Sequence, residues 1–210
     1  EPFAWDDKRS FDRGKIMTAQ MLEAGRDFGR YKDVDGDGIP WRTLPGTHPS
    51  KGALCTRGTT RDAYARYPER GPDYTYNMDR LLRKFRTAAK LVPAAVADGR
   101  GAAAAIVSLG SCDAPVREAL AQLRRSGIAI DYLRVRGFPF GAEVEEFLTA
   151  HQTIFVVEQN RDAQLRALLT LETAVEKKKL QSILHYNGLP MPASCIVEGV
   201  NKALERGVAA

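Results

Sequence analysis

From Ala104 onward, short apolar runs alternate with segments of helical period, and this rhythm constrains the fold more than any other feature of the chain. Ala104–Leu109 is a continuous apolar run closed by Gly110-Ser111, the pattern of a strand buried on both faces. Asp113 and Pro115 open a helix to Arg125, and Gly127 stops it. A strand at Ile128–Val135, a helix at Ala142–His151 and a strand at Thr153–Val157 follow. A helix after Asp162 then runs to Val175, before a short strand at Gln181–His185 and a helix from Ser194 to Glu205. Strands joined through helices pair in parallel, so residues 99–210 are expected to form an α/β domain, a mainly parallel sheet with helices on both faces.

Residues 1–98 read differently. Lys15–Ala24 has rough helical spacing, and Tyr76–Leu91 predicts a helix that Pro93 ends. Leu81, Leu82, Phe85, Ala88 and Ala89 mark its apolar stripe, and Arg80, Arg83, Lys84, Arg86 and Lys90 its exposed basic face. Between Gly25 and Tyr74 the text is Asp/Gly, Pro/Gly and Arg/Gly punctuation. So long an aperiodic stretch is costly unless it drapes over a larger body. The chain begins abruptly at Glu1 without Met, which suggests a piece of a longer protein.

Composition excludes several classes. With 44% hydrophobic residues and a net charge of +5, the chain is not of the disordered type. No run of about 18 apolar residues supports a membrane span, and the N-terminus lacks the basic start and apolar centre of a secretory signal. The basic surplus is too small and scattered for a nucleic-acid footprint. Cys55, Cys112 and Cys195 are far apart and odd in number, and the histidines are only His48, His151 and His185. A disulfide framework, or a zinc or iron–sulfur site built by this chain alone, is not expected, and a reducing cytoplasmic compartment is.

Three sets of residues are candidates for chemistry. Asp33, Asp35 and Asp37, with Gly38 at the sixth position, match the first half of a calcium loop, but the twelfth position is Leu44 instead of a bidentate Glu. The alternative is a turn whose carboxylates bond local backbone amides. Arg42, Arg57 and Arg61, with Thr56, Thr59 and Thr60 nearby, suit carboxylates or phosphates. The alternative is pairing with local Asp residues or a neighbouring subunit. Gly110-Ser111 and Glu158-Gln159-Asn160 stand at carboxyl ends of expected strands, where open parallel sheets bind ligands. The alternative is capping of the next helix or packing on another domain. No phosphate-loop spacing occurs, and no Ser-His-Asp set can be argued.

The segments Arg13–Lys15, Gly29–Pro40, Arg42–His48, Thr56–Gly58 and Met78–Phe85, then Asp131–Arg134, Pro139–Phe140 and Val156–Asp162, are collinear with a known family. Together they resemble the C-terminal part of the alpha subunit of 2-oxoglutarate:ferredoxin oxidoreductase. The resemblance implies that residues 1–98 are the tail of a thiamine-pyrimidine-binding domain and that residues 99–210 are similar to the transketolase C-terminal domain. It also implies a hetero-oligomer that oxidatively decarboxylates a 2-oxoacid to acyl-CoA and reduces ferredoxin. Thiamine diphosphate, Mg2+ and a [4Fe–4S] cluster would be held mainly by the beta subunit and by earlier parts of the alpha chain. The partners implied are the N-terminal part of the same subunit, a beta subunit, ferredoxin and coenzyme A. This stretch would supply scaffold and interface. Some relatives carry His where Arg61 stands, so the resemblance assigns Arg61 no firm substrate role. Two other readings stay open: a free-standing calcium-binding or protein-interaction module, and the same enzyme class with pyruvate or a branched 2-oxoacid.

Overall fold

The computed structural model describes residues 4–52 and 58–207. It divides into two compact units, Glu1–Thr87 and Ala88–Ala210.

The first unit has little regular structure. Thr18 caps the short helix α1 (Ala19–Glu23), its hydroxyl accepting from the Met21 amide at 3.3 Å. The preceding strand-like residues pair with the chain near Trp41: the Met17 amide donates to the Arg42 carbonyl at 2.8 Å, and the Arg42 amide to the Lys15 carbonyl at 3.0 Å. Met17 and Leu22 are the only buried large hydrophobic side chains among the described residues of this unit.

Helix α2 (Gly71–Ala88) starts before the expected Tyr76 because Pro72 suits a first helical turn, where no amide bond is lost. Its orientation also differs from the sequence expectation. Asn77 and Arg80 are buried, whereas Tyr74, Met78, Leu82 and Phe85 are exposed. The reason is the turn that packs on it. Gly38 lies against the helix backbone at φ +80°, and a Cβ there would come within 2.6 Å of the Arg80 carbonyl oxygen. Thr87 Oγ1 donates to the Asp37 carbonyl at 2.6 Å, Arg80 Nη1 to the Gly38 carbonyl at 3.1 Å, and Arg83 Nε to Asp33 Oδ2 at 3.0 Å. The turn offers carbonyls and carboxyls, so it takes Arg80, Arg83 and Thr87 and leaves Leu82 and Phe85 of the apolar stripe open, while Lys84, Arg86 and Lys90 stay exposed as expected.

The second unit is a five-stranded sheet: β1 (Val96–Asp98), β2 (Ala104–Leu109), β3 (Asp131–Val135), β4 (Thr153–Glu158) and β5 (Leu180–Leu184). The order is β1-β3-β2-β4-β5, parallel except for β1, which runs antiparallel to β3. β1 was not expected from the sequence, because three residues on a sheet edge carry too little pattern to detect. Helices α3 (Asp113–Arg125), α4 (Ala142–Ala150), α5 (Gln164–Glu172) and α6 (Ala193–Glu205) complete the unit. α3 and α6 cover one face, packing Val116, Leu120, Leu123, Ile196 and Val200 on Ile106, Tyr132, Phe155 and Val157. α4 and α5 cover the other, packing Val144, Leu148, Leu165 and Leu169 on Val107, Leu133, Ile154 and Val156. Successive strand residues point to opposite faces, so Ile154 and Val156 serve one core and Phe155 and Val157 the other. This is the expected α/β architecture, a mainly parallel sheet with helices on both faces behind a loop-rich segment.

Asp131, at the start of β3, fixes the approach to β2. Its buried carboxyl group accepts from the Arg100, Gly101 and Ala102 amides at 2.9, 2.9 and 3.1 Å and lies 3.2 Å from His151 Nε2. Burial opposes ionisation, but these bonds hold the carboxyl group below its usual range. A depressed carboxyl contributes stability that is present above the unfolded value, about 3.9, and is lost as pH falls through the lower folded value. Asp131→Asn is therefore expected to lower stability at neutral pH and to shrink the loss on acidification below about pH 4, as read by urea unfolding across pH. An unchanged acid limb would refute the assignment.

Candidate functional site

The Asp33–Gly38 loop is held by the protein's own cations and amides. Lys15 Nζ stands between Asp35 Oδ2 and Asp37 Oδ2, 2.6 Å from each, and donates to the Ile39 carbonyl at 3.2 Å. Burial works against the Lys15 ammonium, but these two carboxyl groups raise it above its usual value. The lysine in turn holds Asp35 low and, against the effect of burial, Asp37 as well. Trp41 Nε1 donates to Asp35 Oδ2 at 3.1 Å. Asp33 Oδ1 accepts from the Gly38 amide at 3.0 Å, and Asp37 Oδ1 from the Ile39 amide at 2.9 Å. The carboxylates thus bond local amides and an ammonium, the geometry of the turn alternative. Among the described residues, no group of three His, Cys, Asp or Glu side chains is arranged to hold a metal ion.

A pocket of about 220 Å³ opens beside this loop, lined by Tyr31, Gly58, Thr59, Thr60, Arg61, Asn77, Met78, Arg80 and Leu81. It brings together Arg61 and the two threonines of the sequence reading. Arg61 also lies over the Tyr67 ring, 5.4 Å from its centre. Arg42 is not on this wall, and its Nη2 donates to the Arg13 carbonyl at 2.8 Å. Arg57 and Thr56 lie outside the described residues. Arg80 was missed in the sequence because its spacing puts it among solvent-facing cations; only its position on the face opposite the apolar stripe, beside Asn77, could have singled it out.

In the second unit, the carboxyl edge between β2 and β4 is where the chain order reverses, the place for a ligand in such sheets. Here that place is taken from within. Glu158, 2% exposed at the end of β4, accepts from the Leu165 amide, from the Arg166 amide at 3.3 Å and from Asn160 Nδ2 at 3.0 Å. Asn160 Oδ1 accepts from the Asp162 and Gln164 amides at 3.1 and 3.3 Å. Together they satisfy the free amides of α5. Asp162, the expected start signal, pairs with Arg161 instead, at 2.7 Å. Gln159 Oε1 accepts from the Met191 amide at 3.0 Å.

Beside β2, Tyr132 Oη shares a 2.8 Å hydrogen bond with Ser108 Oγ and donates to Asp113 Oδ1 at 3.0 Å. Asp113 is also bound by Arg117 at 3.1 Å and Arg134 at 3.2 Å. Burial, with Asp113 alongside, pushes the Tyr132 phenol up to about 12, so it stays protonated at neutral pH. Burial likewise raises the Cys112 and Cys195 thiols, away from thiolate chemistry. The described residues therefore offer no cysteine cluster, no phosphate loop and no metal-ligand set. They do not fit a resident thiamine diphosphate, magnesium ion or iron–sulfur cluster.

No family model matches the chain. The alpha subunit of 2-oxoacid:ferredoxin oxidoreductase 2 from Aeropyrum pernix is 33% identical over 201 residues, 93% of this chain and 30% of that subunit. The alpha subunit of a 2-oxoacid:ferredoxin oxidoreductase from Saccharolobus solfataricus is 26% identical over 156 residues, 71% of this chain and 24% of that subunit. Among solved structures, the 2-oxoglutarate:ferredoxin oxidoreductase from Magnetococcus marinus, with 2-oxoglutarate, coenzyme A and succinyl-CoA bound, superposes with a TM-score of 0.74. It is 21% identical, covering 85% of this chain and 31% of that one, and shows the same fold.

The curated relatives are thus alpha subunits of 2-oxoacid:ferredoxin oxidoreductases, and the chain is similar to a part of them. The chain corresponds to a C-terminal part of such a subunit and spans about 30% of the length of the A. pernix relative.

Proposed function

We propose that this chain is the C-terminal, non-catalytic part of the alpha subunit of a thiamine-diphosphate-dependent 2-oxoglutarate:ferredoxin oxidoreductase, supplying scaffold and subunit interface. The observation that carries the reading is the alignment at 33% identity over 93% of the chain. Residues 1–98 are assigned to the tail of the thiamine-pyrimidine-binding domain and 99–210 to the transketolase C-terminal-like domain. Thiamine diphosphate, Mg2+ and the [4Fe–4S] cluster belong to other segments and subunits. The partners are the rest of the alpha subunit, a beta subunit, ferredoxin and coenzyme A, in the cytoplasm. No helix among the described residues is long and apolar enough to cross a membrane. Of the substrate-contact candidates Arg42, Arg57 and Arg61, Arg61 has the support of a pocket, and its partner would be the acidic end of the 2-oxoacid.

Physical chemistry supports an interface role. Tyr74, Met78, Leu82 and Phe85 recur along one side of α2, and a contiguous apolar stripe of this kind marks a surface that another body covers. Leu82→Asp and Phe85→Asp are each expected to cost roughly 1–2 kcal/mol of association free energy. The assembled enzyme should then be recovered in lower yield by size-exclusion chromatography while helix content by circular dichroism is kept. Full assembly of both variants would remove α2 from the interface.

The function itself is tested on the native enzyme that contains this chain. It should hold thiamine diphosphate and iron and reduce ferredoxin with 2-oxoglutarate and coenzyme A. A preparation with neither cofactor overturns the reading. Turnover of pyruvate or a branched 2-oxoacid in preference to 2-oxoglutarate keeps the class and overturns the substrate.

A further inference from the structure

The turn that packs on α2 buries Arg80 but does not balance its charge. The side chain is 6% exposed, yet among the described residues it is in no ion pair. Its bonds run from Nη1 to the Gly38 carbonyl at 3.1 Å and from Nε to Asn77 Oδ1 at 3.5 Å, with the Tyr31 ring 5.8 Å from the guanidinium carbon. Asp33, whose charge it feels, is already bonded to Arg83 and to the Gly38 amide. Burial pushes the guanidinium below its ordinary value, but an arginine remains a cation at neutral pH. A buried charge without a counter-ion is costly.

The pocket that Arg80 lines shows what would offset that cost. Arg61, Thr59 and Thr60 line it with Arg80, and no acidic residue is among its described lining. Its 220 Å³ is below the range of drug-sized ligands and matches a phosphate group or a small dicarboxylate. The geometry points to an oxyanion site in which Arg80 is the buried counter-charge, and Arg61, Thr59 and Thr60 supply the remaining donors. The site deepens the proposed role of Arg61 but does not require the oxidoreductase assignment, since the residues that build it lie within one unit of this chain.

Calorimetric titration of the native protein with inorganic phosphate, and separately with succinate, tests the site. Saturable binding of either is expected, and which one binds tells a phosphate-bearing ligand from a carboxylate. Thr60→Val and Arg61→Met, which leave the Gly38 contact intact, should each weaken binding about tenfold or more. Arg80→Met should abolish binding and, in anion-free buffer, melt no lower than the parent, because an apolar chain replaces an unpaired buried charge. Binding of neither anion at about 10 mM, or equal binding in Thr60→Val and Arg61→Met, overturns the inference. Phosphate or succinate binding in a preparation that lacks thiamine diphosphate and iron would sink the subunit reading and leave this one standing. Cofactor-loaded enzyme without anion binding does the reverse.

Discussion

Residues 88–210 produced alone are expected to unfold in one cooperative transition, and residues 1–87 produced alone to show no thermal transition. The difference follows from where apolar surface is hidden. The second unit has a core on each face of its sheet, with Leu133, Leu148, Ile154, Phe155, Leu169 and Ile196 each at most 1% exposed. A domain of this size hides enough surface to fold by itself. The first unit offsets the ordering of a comparable length of backbone with Met17 and Leu22 as its only large buried hydrophobic side chains among those described. At about 1–2 kcal/mol of backbone entropy per residue, two side chains cannot do this. Limited proteolysis of the whole chain should cut first between Gly25 and Tyr74. A sharp melt of isolated residues 1–87, or equal protease resistance of the two halves, would refute this account.

The second large effect is expected at Glu158. Its carboxyl group is buried and accepts from two amides of the first turn of α5 and from Asn160 Nδ2. Glu158→Ala strands three donors, the buried Leu165 amide and the partly buried Arg166 amide and Asn160 Nδ2. Each costs about 1–3 kcal/mol, so a loss of about 3 kcal/mol or more is expected by denaturant unfolding of the second unit. Glu158→Gln keeps one acceptor oxygen and should lose about half as much, since its NH2 group faces donors. A loss under about 0.5 kcal/mol in the alanine variant would show that α5 does not depend on this cap.

The α/β half was legible because β2 and β4 are continuous apolar runs joined through segments of helical period; Gly127 and the Gly110-Ser111 corner fall where the chain turns. Two details were hidden by interactions distant in sequence. α5 takes its cap from Glu158, on the preceding strand, and the nearby Asp162 is a decoy engaged with Arg161. α2 was harder still. Helical period correctly separates its apolar from its polar side, but not which side faces inward, and here the Asp/Gly turn selects the polar one. The same tertiary event buried Arg80 and gathered the pocket around it, so only Arg61, Thr59 and Thr60 could be seen beforehand.

The outward-facing aromatics and leucine of α2 also bear on quality control in the cell. A copy that fails to find its place in a larger assembly displays Tyr74, Leu82 and Phe85 to chaperones and proteases. Surplus polypeptide would then be culled on sight, matching its abundance to that of whatever shields the stripe.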